Sequence, residues 1–212
     1  MAKLYFRYGA MNSGKSTALM QVAHNYEERD QKVMVMKSSV DTKGDAYLVS
    51  RIGLRRKVDV LLQPDDSICE KMGNLTGIAC ILVDEAQFLT ARQVDELYEI
   101  TKRIDIPVIC YGLRSDFKTN GFLGSIRLLE LADELEELIT ICRCGKRAKL
   151  NARKVGGRFV KDGDQVAIDG NGDVTYESLC GKCYLKYVGS ILKESIQEVP
   201  EQSFEKVLKL TK

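Results

Sequence analysis

The chain has 212 residues, 44% of them hydrophobic, and 32 Lys and Arg against 30 Asp and Glu leave a net charge of +2. That length and apolar content suffice for one α/β domain with a full core plus a small accessory unit, and the near-neutral balance excludes a broad electrostatic case for a nucleic-acid or membrane-surface partner. No apolar run approaches membrane-spanning length, the N-terminus carries no signal-peptide pattern, and an odd set of seven cysteines does not describe a secreted disulfide framework; a cytoplasmic protein is expected.

Leu4–Tyr8 is a largely apolar run, and Gly9-Ala10-Met11-Asn12-Ser13-Gly14-Lys15-Ser16 follows it, fitting G-x-x-x-x-G-K-[ST]. The glycines let the backbone curl so that successive N–H groups converge on phosphate oxygens, and the helix that follows points its positive end at the same anion. Lys15 is placed to reach the β and γ phosphates and Ser16 to hold Mg²⁺. Thr17 to Arg29 carries Leu19, Val22, Ala23 and Tyr26 at helical spacing, and His24, the only histidine, falls inside that helix as a partly exposed residue. Lys32 to Met36 reads as a buried strand. The basic cluster Arg51, Arg55, Arg56 and Lys57 reads as a solvated face or a local phosphate contact. Ser67 to Met72 is expected to be helical, with Cys69 packed in the core. Ile78 to Val83 is an unbroken apolar run of strand length, as central parallel strands are, and Cys80 and Cys110 read as core residues. Ala91 to Ile104 is helical, Ile106 to Tyr111 a strand, and Leu123 to Leu135 helical again through Ile126, Leu128, Leu129 and Leu131. This alternation predicts an α/β domain with a mainly parallel sheet covered on both faces.

The character changes at Thr140. From there to Tyr184 the chain is rich in Gly, Lys, Arg and Asp, with β-prone pieces at Arg158–Val160 and Gln165–Ile168; Tyr187 to Ile196 is a candidate short helix and Glu198 to Lys212 a charged tail. The division expected is 1–139 for the phosphate-loop domain, 140–190 for the accessory unit and 191–212 for the tail.

Two groups carry the chemistry. Asp84-Glu85-Ala86-Gln87 closes the central strand with two carboxylates, the arrangement that faces a phosphate loop in nucleotide-hydrolysing and nucleotide-transferring proteins. There Asp84 holds the Mg²⁺ shell, usually through water, and Glu85 takes the nucleophile's proton. Cys142-Arg143-Cys144 and Cys180-Gly181-Lys182-Cys183 suit a tetrahedral structural Zn²⁺ site. The first pair, C-x-C, is one residue tighter than usual, and a redox pair or unligated thiols stay open as alternatives. These features give γ-phosphoryl chemistry without choosing water or an alcohol as acceptor, and the acidic box is shared with helicase motors. Motors generally need two such domains and a basic groove, neither of which this chain has room for or charge to supply.

In combination, the phosphate loop with Met11 inside it, Asp84-Glu85-Ala86-Gln87-Phe88, Tyr111-Gly112-Leu113-Arg114-Ser115-Asp116-Phe117 followed by Phe122, and the cysteine pairs around a Gly-rich loop resemble the zinc-containing thymidine kinases, over about residues 3 to 186. The resemblance implies a RecA-like P-loop domain and a small zinc domain whose lasso loop closes over the nucleoside. The activity it implies is transfer of the ATP γ-phosphate to the 5′-hydroxyl of thymidine, and of deoxyuridine, in nucleotide salvage. It implies ATP with Mg²⁺ bound by residues 9–16 (Gly9, Ala10, Met11, Asn12, Ser13, Gly14, Lys15, Ser16) and by Asp84, Glu85, Ala86 and Gln87, with Glu85 as general base. Met11, Phe88, Leu113, Phe117, Phe122 and Tyr176 would form the nucleoside pocket, Asp41 would lie near metal and phosphates, and Cys142, Cys144, Cys180 and Cys183 would hold structural Zn²⁺. A homotetramer and feedback inhibition by thymidine triphosphate are implied as well. Lys43 stands where an arginine is common in the family, and the stretch Asp169–Val174 is slightly longer than the usual lasso.

Overall fold

The computed structural model of the chain describes residues 1–41, 44, 46–166 and 173–191. Six parallel strands build its main sheet: β1 (Leu4–Tyr8), β2 (Lys32–Ser38), β5 (Val60–Leu62), β6 (Ile78–Asp84), β7 (Val108–Gly112) and β8 (Glu134–Glu137), in the spatial order β5-β2-β6-β7-β1-β8. The helices that accompany it are α1 (Lys15–Glu27), α2 (Ile68–Met72), α3 (Ala91–Arg103) and α4 (Leu123–Leu131), and a short antiparallel hairpin, β3 (Tyr47–Val49) with β4 (Arg55–Lys57), lies between β2 and β5 in the chain.

Alternation along the strands decides which helix covers which face. Phe6, Met36, Ile81, Val83, Val108 and Cys110 pack on one side against Val94, Leu97 and Ile100 of α3 and Leu128 of α4. Val33, Val35, Cys80, Leu82, Ile109 and Tyr111 face the other way, onto Leu19, Met20 and Ala23 of α1. Because β6 and β7 are central and covered on both faces, they read as unbroken apolar runs. Every loop leaving the C-terminal ends of β1, β2, β6 and β7 emerges on one edge of the sheet, the edge where open α/β sheets bind ligands.

From Thr140 the pairing turns antiparallel. The ribbon β9 (Thr140–Ile141) with β10 (Arg147–Ala148) is followed by a three-stranded sheet of β11 (Leu150–Val155), β12 (Arg158–Val160) and β13 (Val174–Leu179), in the order β12-β11-β13, and then by α5 (Gly181–Tyr187). Its core is Cys142, Ala148, Ala152, Leu179, Cys180, Cys183 and Tyr184. With three cysteines among seven core residues, little apolar area holds this unit together.

Four expectations need correction. The helical pattern over Leu123–Leu135 stops at Leu131: the Asp133 carboxylate accepts from the Leu4 N–H at 2.8 Å and the Asp133 N–H donates to the Leu4 carbonyl at 2.9 Å, so the free edge of β1 captures the chain as β8 and leaves Leu135 half exposed. Cys69 is exposed rather than packed, since in the short α2 only Ile68 and Met72, four apart, face the core. Tyr187 ends a helix instead of starting one, because α5 begins at Gly181 so as to bury Cys183 and Tyr184; residues 192–196 lie outside the described residues. Gln165 and Val166 join no strand, while Ala167 and Ile168, most of Asp169–Val174, Lys43, and the tail from 192 also lie outside the described residues.

Candidate active site

The phosphate loop leaves β1 at Tyr8 and feeds straight into α1, as its motif requires. At Gly9 a β-carbon would lie 2.5 Å from the Ser13 hydroxyl and 2.6 Å from the Leu138 carbonyl, so no other residue lets the loop curl this tightly. Lys15 is buried, and its ammonium donates to the Ala10 carbonyl at 3.0 Å. Burial pushes its pKa down, while Glu85 and Asp84 oppose that shift.

Asp84 ends β6, two strands from β1, where β7 brings the sheet back to the loop. Its carboxyl is 3% exposed and receives the Ser16 hydroxyl, yet its Oδ1 has no hydrogen-bond partner among the described residues. A buried carboxylate oxygen without a partner is costly, and beside Ser16 and Lys15 it fits the shell of a hydrated divalent cation, hard and oxygen-seeking. Burial raises the Asp84 pKa. Glu85 is raised to about 7, by burial first and then by the charges of Asp84 and Asp41. Its backbone stands at φ 50, in the left-handed region that non-glycine residues seldom adopt, and residues held there cluster at functional sites. Gln87, buried in turn, explains how Glu85 is aimed: its Nε2 donates to Glu85 Oε2 at 2.5 Å, and its Oε1 accepts from the Leu113 N–H at 3.0 Å.

One cavity of about 380 Å³ takes in these groups. Met11, Asn12, Gly14, Lys15, Ser16, Asp84, Glu85 and Gln87 line it, and so do all six aromatic and aliphatic residues expected at a nucleoside: Met11, Phe88, Leu113, Phe117, Phe122 and Tyr176. Phe88 and Phe122 meet edge to face with centroids 5.6 Å apart. Gly9, Ala10, Ser13 and Ala86 do not reach its wall. Asp41 does, held by the buried Lys37 ammonium at 2.9 Å.

Sequence reasoning missed several wall residues. Lys37 sits at the C-terminal end of β2, opposite Asp84 in the strand register, a position that an α/β reading could have flagged. Asp116 was visible only as part of a motif; its Oδ1 accepts the N–H groups of Lys118 and Asn120, both at 2.8 Å, and its Oδ2 accepts from Gln165. Arg153 does not line the cavity but braces residues that do, and it is 4% exposed. Its guanidinium lies 3.8 Å from the Phe117 ring centroid, donates to the Tyr176 hydroxyl at 2.8 Å, and holds the carbonyls of Asp164 and Gln165. No sequence signal marks such a residue, because its environment is assembled from three distant segments.

In the antiparallel unit the sulfurs of Cys142, Cys144, Cys180 and Cys183 all lie within 4.8 Å of one another, with Cys144 and Cys180 at 3.6 Å. A tetrahedral Zn²⁺ with bonds of about 2.3 Å would space its sulfurs at about 3.8 Å. The tight C-x-C pair therefore presents both thiols to one centre. Burial opposes ionisation of Cys142, but the N–H groups of Cys144 and Cys180 outweigh it and bring that thiol down to about 7, while burial and hydrogen bonds to the other three cysteines push Cys183 up to about 12.

A sequence model of the family described as thymidine kinase matches residues 2–184. A thymidine kinase of Chromobacterium violaceum is 46% identical over 186 residues, covering 87% of this chain and 98% of that protein. One of Shewanella oneidensis is 45% identical over 192 residues, covering 89% and 99%. One of Rhodopirellula baltica is 42% identical over 205 residues, covering 94% of each.

Proposed function

Since the chain belongs to the thymidine kinase family and phosphorylates thymidine at the expense of ATP in nucleotide salvage, we propose that Glu85 is its general base and that the lined cavity holds both substrates. The observation that carries this reading is the placement of the buried Asp84 and the partly exposed Glu85 between the phosphate loop and an aromatic wall within one cavity. Lys15 and the loop N–H groups hold the triphosphate, and Ser16 and Asp84 hold Mg²⁺, whose charge when bound offsets the negative charge on the transferred phosphoryl group. Glu85 takes the proton of the 5′-hydroxyl while that oxygen bonds to the γ-phosphorus and the bond to the β–γ bridging oxygen breaks. A carboxylate raised to about 7 is a stronger base than an ordinary one and is about half ionised at neutral pH. Phe88, Phe117 and Phe122 exclude water from the acceptor position, which favours transfer over hydrolysis.

We assign Met11, Phe88, Leu113, Phe117, Phe122 and Tyr176 to the nucleoside and structural Zn²⁺ to the four cysteines. The parallel sheet ends at Glu137 and antiparallel pairing starts at Thr140, which supports a kinase domain of 1–139 and a zinc and lasso unit of 140–190. No described helix is long and apolar enough to cross a membrane. Cytoplasmic location, a homotetramer and inhibition by thymidine triphosphate complete the reading as implications of the resemblance.

The test is a nucleoside panel scored for 5′-monophosphate. Thymidine and deoxyuridine should both react, with kcat/KM values differing by roughly ten- to two-hundredfold, the scale of one methyl group in an apolar pocket. Deoxycytidine or deoxyguanosine reacting as well as thymidine would overturn the pocket assignment.

A further inference from the structure

Side chains of the antiparallel unit grip two consecutive residues of the phosphate loop. Asn151 Oδ1 accepts from the Met11 N–H at 2.7 Å, the Ser178 hydroxyl donates to the Met11 carbonyl, and the Thr140 hydroxyl donates to the Asn12 carbonyl at 3.2 Å. Asn12, so held, stands at φ 65, a conformation that a non-glycine residue keeps only where its surroundings enforce it. Asn151 and Ser178 are buried, 4% and 5% exposed, and they are direct partners across the β11–β13 ladder. The second arm of Asn151, its Nδ2, donates at 3.0 Å to the carbonyl of Ser115, in the segment that carries Phe117.

A phosphate loop binds through backbone N–H groups, so its affinity depends on how firmly the curl is held before the anion arrives. Here the hold on Met11 comes from one rung of the small sheet. Tyr176 lies two residues before Ser178 on β13, on the same face of the strand, and lines the cavity. The strand that meets the nucleoside side of the cavity is thus the strand that grips the loop.

We propose that Asn151 and Ser178 are positioning residues for ATP, a rung through which the small unit sets the curl of the phosphate loop and through which nucleoside binding tightens nucleotide binding. This rests on the reading of Gly9–Ser16 as the ATP loop.

The experiment uses the full chain and the Mg²⁺ complex of β,γ-imido-ATP, titrated calorimetrically with and without thymidine. Ser178→Thr and Ser178→Val have matched shapes and differ in the hydroxyl alone. Ser178→Thr should bind the analogue within about threefold of the parent, and Ser178→Val and Asn151→Ala roughly tenfold or more weaker, the scale of a buried group left unpaired. Thymidine should tighten analogue binding in the parent and in Ser178→Thr, and this effect should shrink in Ser178→Val. Zinc content and melting temperature, equal in the Thr and Val variants, separate this outcome from collapse of the unit. Equal analogue affinity in the Thr and Val variants would overturn the proposal, as would a parent enzyme indifferent to thymidine. Lys15→Ala serves as the control: if it too binds the analogue normally, the reading of the loop itself has failed.

Discussion

Glu85 is the proposed general base, and its surroundings work against its charge. Burial and the neighbouring carboxylates raise its pKa to about 7, while the Gln87 amide and Lys15 favour its ionised form. The folded state therefore holds a proton that an unfolded chain, with an ordinary value of about 4.3, has already released. This group's contribution to stability is full below about pH 4.3 and falls away as pH rises through 7. Glu85→Gln removes that burden, and its melting temperature should exceed the parent's by more at pH 8 than at pH 5. Its turnover should drop at least about a hundredfold, the usual loss when a general base is removed, with analogue binding retained. The parent's kcat/KM at limiting substrates should climb with pH and level off near 7; that limb should vanish in Glu85→Gln. Near-normal turnover in the variant would remove Glu85 from the role.

At the scale of elements, the site is a set of strand ends. The C-terminal ends of β1, β6 and β7 deliver the phosphate loop, the carboxylate pair and the Leu113–Phe117 wall, and Gln87 ties the last two together. Gly112, at the end of β7, makes that tie fit: a β-carbon there would lie 3.0 Å from Gln87 Oε1 and 3.1 Å from the Gln87 backbone nitrogen. Gly112→Ala should destabilise the fold by roughly 1–3 kcal/mol, the cost of overpacking a tight site, and lower kcat by displacing Gln87 from Glu85. Denaturant midpoints and initial rates on the same preparation check both. The start of α3 is set more locally. Thr90 and Gln93 form a complete capping box, so Thr90→Ala should cost about 1 kcal/mol without altering kcat. Strands and helices with strong internal patterns were legible to within about two residues: β6, α3 and the phosphate-loop helix follow from their own sequences. β8 did not, because Glu134–Glu137 lacks strand character and among the described strands pairs with β1 alone, and the burial of Arg153 did not, because the rings around it come from Phe117 and Tyr176.

For the whole molecule, the proposed Zn²⁺ site would be the main hold on the antiparallel unit. A core of seven residues with three cysteines among them gains more from a metal cross-link than from apolar area. Protein purified without chelator should carry one Zn²⁺ per chain by elemental analysis, and Cys183→Ser should lose it. Because β11 and β13 grip the phosphate loop, that loss should weaken β,γ-imido-ATP binding as well as thymidine binding. Less than about half an equivalent of zinc, with four titratable thiols in the unit, would refute the metal site.

By itself the sequence determined γ-phosphoryl chemistry, without its acceptor, and marked the phosphate-loop motif, the carboxylate pair and the clustered cysteines as candidates, since each rests on a short contiguous pattern whose chemistry depends on residue spacing. What only the tertiary structure decided is how these parts are aimed: the Gln87 bridge, the Lys37–Asp41 pair, the Arg153 stack and the grip of Asn151 and Ser178 on Met11. Apart from the short-range pairs Gln87–Glu85 and Lys37–Asp41, those contacts join residues 23 to 167 positions apart. A hydrogen bond across such a separation leaves no periodic trace in either segment, so it becomes visible only when the fold has brought the two together.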